Sequence, residues 1–263
     1  MPDAFYLPLG DGRYVSTEHT GGPWDPQFQH GGPPSALLLR AMESESLSWP
    51  ATLARVSVDI LGPVPVTELT VRSRVLRPGR SVDLVEAELV AGDRAVVRAQ
   101  AWRVRAAELD LPEDNETSYD DPPAKVPDFP AAETPLPDSW RGGYMRAMEW
   151  RFVGGVWAGP GPSTVWGRMR YPLVPDEEPT GLQRVLTLAD SGSGVSSVLP
   201  FDSWLFINPE LTVHLVAPPA GEWICLDAAT RVDAAGFGLA TSKLFDRDRL
   251  VARGAQSLLI AAR

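Results

Sequence analysis

With one cysteine in 263 residues, Cys225, the chain cannot hold an internal disulfide framework, and a thiolate zinc cluster is excluded as well. Such usage fits a reducing cytoplasm. Histidine is nearly as scarce. The three present show no metal-ligand spacing and no evident Ser-His-Asp set, and Gly192-Ser193-Gly194-Val195-Ser196 is not the G-x-S-x-G nucleophile elbow. No G-x-G-x-x-G follows a predicted strand, so neither a dinucleotide cofactor nor a metal is expected. Positive charge is short too: 24 Lys and Arg stand against 34 Asp and Glu, a net of −10. Nucleic acid is an unsuited partner, because phosphates are held by clustered Lys and Arg. No apolar run approaches the ~18 residues a membrane span needs, and residues 1–6 carry neither a basic nor an apolar leader region. The expectation is a cytoplasmic protein without a membrane segment.

What is present is periodicity. Two short strands are predicted around residues 5–9 and 13–16, joined by the hairpin signal Gly10-Asp11-Gly12. Gly31-Gly32-Pro33-Pro34 then announces a helix through Glu43, apolar over most of its circumference and so expected to be buried. From Ala54 the period changes to two. Four consecutive strands follow, within 54–60, 69–75, 82–90 and 95–104, most simply an antiparallel meander. Residues 106–140 break the pattern: seven prolines, and ten acidic residues against Lys125 alone, describe a linker with a net of −9. Strands resume at 145–153 and 164–171. Next comes a helix at 181–191, whose apolar residues 182, 185, 186 and 189 keep helical spacing and lead into Asp190. Strands at 204–216, 222–232, 238–245 and 250–260 complete the chain. An unpaired carboxylate beside a packed interior costs several kcal/mol, so Asp190 needs partners or a task.

The second half thus repeats the first: two strands, a helix, four strands. A shift of 156 residues places Pro63 on Pro219 and Ala99-Gln100 on Ala255-Gln256 without a gap, with Val82 on Gly238 and Leu84 on Ala240. The expected units are 1–105, a linker at 106–140, and 141–263. The architecture is α+β: two antiparallel sheets, each wrapped around a central helix and joined along edge strands into one continuous curved sheet. That is the hotdog fold, and two copies make a double hotdog. Gln100 would be the repeat partner of Gln256, yet no acid at the matching point of the first helix accompanies it. One active and one degenerate half are expected.

The ordered segments Gly31-Gly32, Arg77-Pro78-Gly79, Ala189-Asp190, Ile207-Asn208-Pro209-Glu210-Leu211-Thr212-Val213-His214, Pro218-Pro219-Ala220-Gly221-Glu222-Trp223 and Gly254-Ala255-Gln256 resemble the type II, TesB-like acyl-CoA thioesterases. The resemblance implies a hydrolase of acyl-CoA or related thioesters, active in fatty acid metabolism. It places a water-holding Asp on Asp190, a Gln on Gln256, and on Asn208 the member that in the family is a hydroxyl residue. Asn departs from that pattern, though an amide still orients water. His30, Gly31 and Gly32 become substrate-binding candidates, since a glycine-rich helix start permits close approach by a carbonyl.

Bland readings stand beside each of these. Asp190 could cap the turn at Ser191-Gly192, Gln256 could be a structural bond within the sheet, Asn208 a bulge residue before Pro209, and His30 a loop clamp. Glu210 is the reserve acid. The alternative function is a non-catalytic acyl-CoA or acyl-ligand binding protein with a degenerate site. Oligomeric state stays open, because a double hotdog already contains the pairing that single hotdogs obtain by dimerising, while the resemblance favours a homo-oligomer.

Overall fold

The positive backbone φ angles of Gly10, Asp11 and Gly12 close a hairpin between β1 (Tyr6–Gly10) and β2 (Arg13–Ser16), a conformation glycine and aspartate tolerate best. These coordinates are a computed structural model, which describes residues 3–110, 122–128, 140, 142–157 and 159–263. The predicted glycine-proline signal starts α1 (Gly32–Ser44), with proline in its first turn. Leu37, Leu38, Leu39 and Met42 on this helix are at most 1% exposed. Each such burial contributes roughly 1.5–3 kcal/mol.

After α1 run β3 (Ala51–Ile60), β4 (Glu68–Arg77), β5 (Val82–Ala91) and β6 (Arg94–Arg105). The second part holds α2 (Gly143–Ala147), β7 (Met148–Gly154), β8 (Ser163–Met169), α3 (Gly181–Ala189), α4 (Gly192–Val195), β9 (Trp204–Ile207), β10 (Glu210–Leu215), β11 (Ile224–Asp233), β12 (Phe237–Phe245) and β13 (Leu250–Ala262). All strands described belong to one sheet of order β1-β2-β4-β5-β6-β3-β10-β13-β12-β11-β8-β7, with β9 added beside β13. Every pairing in it is antiparallel. Read outward from the centre, both flanks have the same strand order. They meet at β3 and β10, where buried Val56 and Val58 stand opposite Val213 and Leu211. Helix α1 packs on β4, β5 and β6, and α3 on β8, β10, β11 and β12.

Four expectations need correction. The first four long strands are not a simple meander: β4-β5-β6 is one, but β3 lies beyond β6, where it is covered on both edges and joins the flanks. Residues 145–153 are not all strand, because α2 occupies 143–147. Residues 204–216 are two strands, since the chain breaks at Asn208-Pro209 and β9 pairs with the far end of β13. Proline has no N–H for a central ladder.

The repeat register is the fourth correction. Arg74, Glu86, Gln100 and Ser57 lie side by side across β4, β5, β6 and β3. Ala229, Thr241, Ala255 and Thr212 lie side by side across β11, β12, β13 and β10. Each residue of the second row is 155 positions after its mate in the first, so the offset is 155 and not 156. A one-residue slip in a strand exchanges its two faces. At 156, core residues Ala99 and Ala101 would land on Ala255 and Ser257, off the buried face; at 155 they land on Gly254 and Gln256. The mate of Gln256 is therefore Ala101. Gln100 faces the other side of the sheet, donating from Nε2 to Glu86 Oε2 at 3.1 Å.

Most of the expected linker lies outside the described residues. Its piece 122–128 crosses the sheet face away from the helices: Val126 packs against a cluster of Trp166, Trp223, Cys225, Phe245 and Leu250, and Trp166 Nε1 donates to Ala124 O at 3.1 Å.

Candidate functional site

Helix α3 is buried along residues 182–189, with Thr180 capping its start by accepting from Gln183 N–H at 3.2 Å. The predicted apolar face is as expected, and Thr187 tolerates burial because its Oγ1 donates to Gln183 O at 2.8 Å. Asp190 follows directly, 6% exposed, at the helix end. Helices α1 and α3 run in opposite directions, so the end of α3 meets the start of α1. Contact is close: a Cβ on Gly32 would stand 2.1 Å from Thr187 O, and one on Gly31 would stand 2.8 Å from Asp190 Oδ2. Backbone excludes any side chain at Gly32, and one at Gly31 would displace the Asp190 carboxylate.

The structure brings the predicted residues together. Asn208 Nδ2 donates to Asp190 Oδ1 at 2.8 Å, and Gln256 Nε2 donates to the same oxygen at 3.2 Å and to the Asp190 carbonyl at 3.0 Å. Gln256 is held from its other end as well, its Oε1 accepting from Ser193 N–H at 3.1 Å. Break and bond are linked at Asn208: Pro209 ends β9, which turns the preceding side chain toward Asp190. Glu210, the reserve acid, is not in the site. Its carboxylate accepts from Ser257 N–H at 2.6 Å and Thr212 Oγ1 at 3.3 Å.

The second carboxylate oxygen, Oδ2, lies 3.2 Å from His30 Nδ1. That nitrogen also accepts from Gly32 N–H at 3.1 Å. One nitrogen cannot accept from Gly32 and donate to Asp190 together, so the contact with Asp190 requires a proton on one partner. Burial lowers the His30 pKa, opposed by the Asp190 charge. Burial thus favours the neutral ring, whose Nδ1 either accepts from Gly32 N–H or donates to Asp190 Oδ2.

Residues that carried no sequence signal complete the site. Tyr144 stacks on His30 with ring centres 3.8 Å apart, donates to Thr187 O at 2.8 Å, and meets Ser191 Oγ at 2.9 Å. Burial pushes its pKa up, so it stays a neutral donor. Trp150 meets Tyr144 edge-on, and Trp157 meets Trp150 and Trp140. Trp140 also packs edge-on against Phe201. Trp140, Trp150 and Trp157 therefore form much of an aromatic wall that starts at His30. Only His30, close to a glycine pair, was readable beforehand. Among the described residues, no three His, Cys, Asp or Glu side chains are grouped to hold a metal ion.

A family model for the acyl-CoA thioesterase C-terminal domain matches residues 123–260, and one for the acyl-CoA thioesterase N-terminal domain matches residues 20–104. A sequence comparison with curated proteins yields no match. Solved structures show the same fold along nearly the whole chain. One is a hot dog fold protein of unknown function from Alicyclobacillus acidocaldarius, at 19% identity and TM-score 0.72, covering 99% of this chain and 97% of that one. Another is a tesB protein from Mycobacterium avium subsp. paratuberculosis, at 17% identity and TM-score 0.65, with 97% and 96% coverage. A third is the acyl-CoA thioesterase II TesB2 from Mycobacterium marinum, at 16% identity and TM-score 0.65, with 98% and 96% coverage. Identities this low establish likeness of fold alone.

Proposed function

The chain belongs to the acyl-CoA thioesterase family, and from that premise we propose that it hydrolyses acyl-CoA thioesters with a water activated by Asp190. The observation that carries this reading is the convergence of Asn208, Gln256 and His30 on one buried carboxylate. Both amides donate to Oδ1, which leaves Oδ2 as the basic oxygen. A water between Oδ2 and the substrate attacks the thioester carbon while its proton passes to Asp190. The remaining acceptor of Asn208, its Oδ1, orients that water. As the tetrahedral intermediate collapses, the carbon–sulfur bond breaks, and the Asp190 proton returns to the thiolate, giving a carboxylic acid and a thiol.

Charge developing on the carbonyl oxygen needs a donor. At the start of α1, Pro33 and Pro34 have no N–H, and Gly32 N–H is directed to His30. Gly31 N–H is the remaining donor at the positive end of the helix, on the residue that packs against the Asp190 side chain. Base and oxyanion donor thus come from different halves, so one site needs both helices. In this reading the two helix-bearing flanks are the two hotdogs of a double hotdog, 1–105 and 141–263, joined by the linker at 106–140. Cytoplasmic residence and association into a homo-oligomer belong to the same proposal.

Release of free thiol from acyl-CoAs of graded chain length tests the reading. Hydrolysis well above background for part of the series is expected. Binding of acyl-CoA, seen as a melting shift, with no thiol release would overturn it and favour the non-catalytic acyl-binding protein.

A further inference from the structure

The symmetric strand order exchanges two corners of the helix pair. At one corner Asp190, ending α3, lies against Gly31, the residue capping α1. At the other, Glu43 near the end of α1 meets Thr180, the residue capping α3. Glu43 accepts from Thr180 Oγ1 at 3.0 Å and from Gln183 Nε2 at 2.6 Å. An acid therefore stands at each corner, although the α1 residue that matches Asp190 by distance from the helix cap is Ala41 and Glu43 lies two positions beyond it. The surrounding amides do not repeat: the offset of 155 puts Ala101 where the first corner has Gln256, and Leu53 where it has Asn208. The partners of Glu43 come instead from α3 itself, so the sheet lends no amide to this carboxylate among the described residues.

What the second corner has is space. A cavity of about 550 Å³ opens there between Trp49, Leu53, Leu215 and Pro219, with Glu43 and Glu45 in its wall. That volume lies within the ~300–1,000 Å³ of small-molecule sites. Arg103, the cation in the wall, is fully engaged: it forms a two-pronged pair with Asp83 at 2.8 and 2.9 Å and donates to the carbonyls of Met42 and Glu45. Arg40, the cation nearest Glu43, is held by Glu177. The cavity therefore presents apolar walls and two carboxylates, with one further cation, Arg105, lying 5.7 Å over the Trp49 ring and donating to Arg80 O. Burial holds the Glu43 carboxyl above its ordinary range, a penalty that an incoming cation would relieve.

We propose that this corner is a second, non-hydrolytic site, which binds an ammonium ion carrying an apolar body. It is independent of the hydrolytic reading, since none of its residues contacts Asp190. The test uses the full chain and three probes with one body and different heads: n-hexylammonium, n-hexanol and hexanoate at neutral pH. A saturable melting shift is expected with hexylammonium alone. Glu43→Gln should weaken it at least tenfold, and Leu53→Trp, which fills the cavity without touching the α3 cap, should abolish it. Asp190→Asn should leave it intact, which separates this site from the first corner. No hexylammonium shift, equal shifts with all three probes, a response that survives Leu53→Trp, or one lost with Asp190→Asn would overturn the proposal.

Discussion

At the start of α1 and at the start of α3 the same backbone plan surrounds a carboxylate, yet the two corners differ in what the sheet presents to it. Asp190 meets two amides and an imidazole; Glu43 meets a capping hydroxyl and one glutamine, beside an open cavity. The contrast teaches that the fold supplies the corner and a handful of inward side chains supplies the chemistry. It also shows how two flanks of the same strand order come to differ. One corner is filled with donors and glycine, and the other is stiffened by the buried pair of Arg103 with Asp83, whose offset mates are Leu258 and Gly238.

Asp190→Asn should change the Asp190 corner most severely. Turnover is expected to fall at least a hundredfold, the scale of losing a general base, while the circular dichroism spectrum stays unchanged. Steady-state thiol release measures it, and wild-type-like turnover would return Asp190 to a turn-capping residue. At the other corner the largest effect is on stability. Arg103→Leu installs the residue found at the symmetric position but strands buried Asp83, which should cost about 3–5 kcal/mol in denaturant unfolding. Adding Asp83→Ala should recover more than half of that loss; no recovery would mean that the carbonyl contacts to Met42 and Glu45 matter more than the ion pair.

A smaller effect distinguishes the corners by pH. The folded-state pKa of His30 lies below its ordinary 6.5, so its contribution to stability is complete above 6.5 and is lost as pH falls below that value. Glu43 has the opposite sign. Its folded-state pKa lies above its ordinary 4.5, so its contribution is present below 4.5 and is lost as pH rises through the higher folded value. Unfolding free energies of His30→Asn and Glu43→Gln, subtracted from the wild type between pH 4 and 8, should therefore slope in opposite directions. Parallel slopes would contradict the assignment of either group.

Much of this plan was legible in the sequence, for identifiable reasons. Helix spacing at 182, 185, 186 and 189 and the Gly-Pro start of α1 are local signals, and both elements formed where expected. The repeat was visible, but its register was not. Small residues such as Ala99, Ala101, Gly254 and Ala255 fit either face of a sheet, so the coincidence of two glutamines outweighed the alternation. Strand order escaped for another reason: which edge of β6 accepts β3 is decided by burial against β10, far along the chain. At the site, Asp190 stood out as a carboxylate ending an apolar helix, whereas Asn208 and Gln256 were marked by the family resemblance and not by their own context. The approach of His30 and Gly31 to Asp190 depends on α1 and α3 lying antiparallel, a tertiary fact. Tyr144 and the Ser193 N–H entered through packing and backbone geometry, which no residue type announces.

The central claim is that Asp190 activates the water and that Gln256, on a different element, acts only through Asp190. A double-variant cycle tests it most directly. If they act as a unit, Asp190→Asn combined with Gln256→Ala should hydrolyse acyl-CoA no more than about twofold more slowly than Asp190→Asn alone, because the second loss has nothing left to remove. Losses that multiply would contradict it and mean that the two side chains contribute independently.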